Sequence, residues 1–86
     1  DDVIELNIGG EKITTLRSTL TVIPTSKLAQ MFTDPELESK LPRDKNGAFF
    51  FDYNPTYFNF LIDQLRAIKR QPKRPGYQWE FQAPYI

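Results

Sequence analysis

The sequence predicts an α/β (α+β) domain: a small sheet opened by a β-hairpin at the N-terminal end and flanked by α-helices. Three observations carry this. Apolar and polar residues alternate from Val3 to Ile8, the pattern breaks at Gly9-Gly10, and it resumes after the glycines. A wholly apolar run, Ala48-Phe49-Phe50-Phe51, sits mid-chain. Beyond Asn54-Pro55, Phe58, Leu61, Ile62, Leu65 and Ile68 keep the spacing of one helical face.

In chain order, residues 3–8 form the first strand, with Ile4, Leu6 and Ile8 on one face and Val3, Glu5 and Asn7 on the other. Residues 12–17 form the second, with Ile13, Thr15 and Arg17 sharing a face. Gly9-Gly10 supplies the positive φ that a tight hairpin demands. A phosphate-cradling loop would need further glycines and a Lys-Ser/Thr pair, and the sequence has neither there. An apolar connection with Leu20 and Ile23 leads to Thr25, which is placed to cap a helix over 26–32. Leu28, Met31 and Phe32 make its buried stripe, and Met31 reads as core filler. Residues 33–42 read as a loop with one helical turn, since Asp34-Pro35 disfavours continuation. Asp44-Lys45-Asn46-Gly47 is turn chemistry before the apolar strand. Asn54 then caps the main helix, and Pro55 suits its first position because the missing N–H would be unpaired there anyway.

The composition excludes whole classes of chemistry. Among 86 residues there is no Cys and no His. Ser-His-Asp triads, thiol nucleophiles, His- or Cys-ligated metals and disulfides are therefore impossible within this chain, and no catalytic, cofactor or metal site is predicted. Eleven basic residues balance eleven acidic ones, which argues against nucleic acid as main partner. No apolar run approaches the roughly 20 residues of a membrane span, no signal peptide is read, and the lack of cysteine fits the cytoplasm. A domain this small is commonly helped by oligomerisation.

The predicted domain covers 1–70, followed by an extension over 71–86. A basic, proline-bearing connector, Lys69 to Gly76, spans the boundary, and its sharper reading is a patch for acidic partners or membrane surfaces. Tyr77, Trp79 and Phe81 then alternate with polar residues as in a strand. They are expected to cover the sheet or meet a partner; a stacking platform for single-stranded nucleic acid is the other reading.

Three ordered blocks, L-N-I-G-G-E-K-I-T-T-L-R-S-T-L, P-T-S-K-L-A-Q-M-F and D-K-N-G-A-F-F-F-D-Y-N-P-T-Y-F-N-F-L-I-D-Q-L-R, resemble the potassium-channel tetramerisation domain. This is the BTB/POZ branch found in voltage-gated potassium channels and in soluble channel-tetramerisation-domain proteins. The resemblance implies self-association side by side into a ring, a tetramer or a pentamer, through largely polar contacts. Carried onto matching positions, the implied contact residues are Asn7, Gly9, Gly10, Thr15, Arg17, Thr19, Asp44, Asp52 and Asn54. Arg17 is expected to meet Asp44 or Asp52 across a subunit boundary, so that Arg17→Glu would abolish assembly and spare the fold.

Soluble relatives often recruit the cullin-3 ubiquitin-ligase scaffold, which makes Lys27, Gln30, Met31, Phe32 and Leu41 a second implied partner surface, while Tyr77, Trp79 and Phe81 remain a separate candidate partner contact. The sequence departs from the family at Ile13, where a large aromatic is usual, and at Tyr53, where an arginine is usual. It also lacks the family's inter-subunit zinc ligands. Residues 72–86 do not read as the helices that usually complete the domain and add to the cullin surface.

Overall fold

A computed structural model describes residues 1–71 of the chain. It contains β1 (Val3–Ile8), β2 (Glu11–Leu16), α1 (Arg17–Leu20), α2 (Lys27–Thr33), α3 (Pro35–Ser39), β3 (Phe49–Phe51) and α4 (Pro55–Arg70). The sheet order is β2-β1-β3. β1 and β2 are antiparallel, with Ile4 opposite Thr15, Leu6 opposite Ile13 and Ile8 opposite Glu11. β3 lies parallel to β1, with Leu6 opposite Phe49 and Ile8 opposite Phe51. Parallel neighbours need a long crossover, and α1, α2 and α3 provide it.

The alternation of the hairpin sorts its faces as expected. Ile4, Leu6, Ile8 and Ile13 are buried with Phe49 against Leu20, Leu28, Phe32, Phe58, Leu61, Ile62 and Leu65. Glu5 and Lys12 take the other face and pair at 2.7 Å. A side chain such as Phe58, fully withdrawn from water, contributes about 1.5–3 kcal/mol through burial. The aromatic residues also meet by their edges and faces: Phe32 sits edge-on to Phe49 with ring centroids 5.2 Å apart.

α4 begins as the sequence predicts. Asn54 Oδ1 accepts from Thr56 N at 2.9 Å and, more weakly, from Tyr57 N at 3.4 Å. Pro55 occupies its first turn. Elsewhere the boundaries move. The second strand stops at Leu16, and Arg17 opens the one-turn α1. Local bonds favour that turn: Arg17 O accepts from Thr21 N at 3.1 Å and from Thr21 Oγ1 at 2.9 Å. Ser26, not Thr25, caps α2, its Oγ accepting from Ala29 N at 3.0 Å. Asp34-Pro35 ends α2 and also starts α3, because Asp34 Oδ1 accepts from Glu36 N at 2.9 Å and Pro35 is tolerated in a first turn.

Candidate protein–protein interface

The predicted contact residues fall into four groups with different surroundings. The first is the cluster behind the hairpin turn. Asn7 Nδ2 donates to Asp44 Oδ2 at 2.8 Å, while Asn7 Oδ1 accepts from Gly10 N at 2.8 Å. Asp44 Oδ1 accepts from Asn46 N at 2.9 Å and Ala48 N at 3.0 Å. The Asn7 amide is the main cause that holds the Asp44 carboxyl below its ordinary value; burial opposes it, and the backbone N–H groups each add a smaller lowering. Asn7 and Asp44 thus join the hairpin to the 44–47 turn within one chain. Gly9 sits at φ +58°, where a Cβ would lie 2.6 Å from the Tyr53 carbonyl oxygen. Its N–H donates to Phe51 O at 2.8 Å, so this glycine lets the hairpin turn close against the end of β3.

The second group is Arg17, whose partners lie within the chain. Nε and Nη2 grip the two carboxylate oxygens of Asp2 at 2.7 and 2.8 Å. Nη1 donates to Phe32 O at 2.7 Å and to Glu38 Oε1 at 2.5 Å, and Nη2 reaches Glu38 Oε2 at 3.2 Å. A guanidinium carries five N–H donors, and all are engaged inside the chain. Asp2 and then Glu38 hold its pKa above the ordinary value. Arg17 therefore meets neither Asp44 nor Asp52 in this chain. Arg17→Glu would place a carboxylate between two others, so it would disturb the fold as well as any contact.

Thr15 and Thr19 form the third group, and neither is exposed. Both are buried, at 6% and 3% exposure. Thr15 stands opposite Ile4 and shares its core face, whereas Asn7 stands opposite Lys12 on the other. Period-2 geometry keeps these two positions on different faces. Asn7 and Thr15 therefore do not make one surface.

The structure instead brings Thr14, Thr15 and Thr19 together with Arg66, Lys69 and Arg70 along an open cleft of about 480 Å³ between β2 and the end of α4. Arg66 Nη2 donates to Thr14 O at 3.1 Å, and Arg66 Nη1 lies 3.1 Å from Asp63. Lys69 Nζ is 3.8 Å from Asp1. Thr15 Oγ1 is buried without a hydrogen-bond partner among the described residues. The sequence reading placed Lys69 and Arg70 in a basic connector, missed Arg66, and did not join the three to the hairpin. Their helical i, i+3, i+4 spacing was visible, but not the strand they would face.

At the opposite end of the sheet, Asp52, Tyr53 and Asn54 are exposed directly after β3. Tyr53 is half-exposed and stacks on Phe51 and Phe58 with centroids 6.1 and 5.9 Å away. Of the second implied surface, Lys27 and Gln30 are exposed on α2, and Met31 and Leu41 pack half-buried on the core. Phe32 is 1% exposed and belongs to the core itself, because it falls on the inner stripe of α2 with Leu28. Tyr77, Trp79 and Phe81 lie outside the described residues. No helix among the described residues is long and apolar enough to cross a membrane.

Comparison with known proteins agrees with this architecture. The BTB/POZ domain family model matches residues 4–79. The chain is 47% identical over 65 residues to the human BTB/POZ domain-containing protein KCTD14, covering 76% of this chain and 24% of that protein. It is 35% identical over 72 residues to SH3KBP1-binding protein 1 of Bos taurus, covering 84% of this chain and 10% of that one. The chain thus spans a quarter or less of the length of these curated relatives. The mixed three-stranded sheet with its helices, the family match and these relatives lead to one assignment: the chain belongs to the BTB/POZ domain family of non-enzymatic protein-interaction domains, in its potassium-channel tetramerisation branch.

Proposed function

We propose that this chain is a self-association module that joins copies of itself edge to edge into a closed ring, a tetramer or a pentamer, and so gathers copies of a larger protein. The observation that carries the reading is the contrast between the two ends of its sheet. On the β2 side, Thr15, whose buried hydroxyl has no partner among the described residues, lines a cleft bordered by Arg66, Lys69 and Arg70. On the β3 side, Asp52 and Asn54 stand exposed.

Two different, complementary surfaces on one subunit give a heterologous contact, which closes into a ring when the rotation permits. In this reading Thr15 and Thr19 receive Asp52 and Asn54 of the next copy. The neighbouring cations make the contact charge-assisted, and it strengthens as water is excluded. Asn7, Asp44 and Arg17 act from behind by fixing the turn and helices, and Gly9-Gly10 lets the hairpin close.

Native mass spectrometry and sedimentation of the chain and of Asp52→Lys test this. Wild type is expected as a tetramer or pentamer at high micromolar concentration, and Asp52→Lys as a monomer with an unchanged circular-dichroism spectrum. A strictly monomeric wild type rejects the ring. An unchanged oligomer mass in the variant rejects this contact.

A further inference from the structure

α2 and α3 follow one another in the crossover, yet different forces hold them. α2 buries Leu28, Ala29 and Phe32. α3 buries none of its residues, and Leu37 at its centre is 41% exposed. The chain is anchored on either side of α3, by Phe32 before it and by the partly buried Leu41 after it. Between those anchors, among the described residues, Glu38 makes the side-chain tie from α3 to the rest of the domain, through Arg17. Lys40 pairs only within the segment, with Glu36 at 3.7 Å. Ser39 Oγ donates to Glu36 O at 2.7 Å, again within it.

Arg17 is itself fixed from other directions, by Asp2 and by the Phe32 carbonyl. Its guanidinium therefore keeps its place whether or not Glu38 is bound. The pair is only partly shielded, with side-chain exposures of 31% for Arg17 and 21% for Glu38, so ions in solution reach it. A helix of one turn or so is also too short to persist without tertiary support.

We infer that Glu38 on Arg17 is a latch: α3 docks and undocks as a unit, and it does so without loss of the sheet or of α4. The surface beside α2 then has two arrangements, docked and open. A partner that contacts one arrangement better than the other shifts their populations by that difference. The latch goes beyond the ring reading and stands or falls independently of it.

Residue-resolved hydrogen exchange tests the latch. The amides of positions 38, 40 and 41 donate to Asp34 O, Leu37 O and Glu38 O and report α3. Those of Leu61 and Leu65 report the body of α4. Glu38→Ala is expected to speed exchange at 38, 40 and 41 on the order of tenfold and to leave Leu61 and Leu65 unchanged. In wild type, raising salt from about 0.05 to 0.5 M should act in the same direction on the same amides, and this effect should vanish in the variant. Unchanged α3 exchange in Glu38→Ala overturns the proposal. So does acceleration spread equally over α4, which would mean that α3 opens only with the whole domain.

Discussion

Thr15→Val separates the energetics of the single chain from those of assembly, because the two effects have opposite signs. The hydroxyl is buried and without a partner among the described residues. Leaving such a group unpaired costs about 1–3 kcal/mol. Valine keeps the β-branched shape that suits a strand and places a methyl group in the same space, worth about 0.8 kcal/mol if well buried. At dilution, where single chains dominate, Thr15→Val should therefore gain about 2–4 kcal/mol. A domain of this size shifts its melting temperature by roughly 4–8 °C per kcal/mol, so the rise should be about 8–30 °C. In the proposed ring the same change would remove a hydrogen-bonding group from every contact and leave the neighbour's group unpaired. Association should weaken roughly 5- to 150-fold per contact, the equivalent of about 1–3 kcal/mol. Thermal melting at low concentration and sedimentation over a concentration series read the two quantities separately. A variant that melts lower than wild type at dilution would refute the reasoning, since the hydroxyl would then have a partner inside the chain. Unchanged association would remove Thr15 from the contact.

Two further outcomes follow from the hairpin turn. Gly9 and Gly10 both have positive φ, at +58° and +101°, so alanine is strained at either, by about 1–2 kcal/mol in the left-handed region. Only at Gly9 would the new Cβ also press on Tyr53 O, at 2.6 Å, while at Gly10 it meets nothing within 4 Å. Urea unfolding should show the larger loss for Gly9→Ala, and equal losses would show that the Tyr53 carbonyl moves aside freely. Asp44 supplies a pH dependence. Its folded pKa lies below the ordinary 3.8, so its contribution to stability is present above that value and is lost as pH falls through the folded one. Asn7→Ala removes the largest cause, and carboxyl NMR should show the Asp44 titration moving up towards its ordinary value. An unmoved titration would assign the depression to the backbone N–H groups alone.

Much of the fold can be read from local pattern. Alternation about Gly9-Gly10 gives the hairpin and its inner face, and Asn54-Pro55 gives the start of α4. The spacing from Phe58 to Ile68 gives the side of α4 that is buried. These features depend on neighbours a few residues away, where the backbone's own period of 2 or 3.6 decides which side chains share a face. Boundaries such as Leu16/Arg17 were less legible, because extended and helical turns compete closely there and Thr21 tips the balance.

The contact surface was legible in composition and not in arrangement. The sequence offered Asn7, Thr15, Arg17 and Thr19 as polar groups near one another along the chain. Packing then sent Thr15 and Thr19 inward, tied Asn7 to Asp44, and saturated Arg17 with Asp2 and Glu38. By itself the sequence determined the absence of thiol and imidazole chemistry, the hairpin with its buried stripe, the capped α4 and the resemblance to the BTB/POZ family. Tertiary structure alone decided that β3 lies parallel to β1, that Arg66 reaches the Thr14 carbonyl, and that Arg17 holds α3. The physical reason is distance along the chain: periodicity assigns a residue to a face, and only the packed chain says what that face meets.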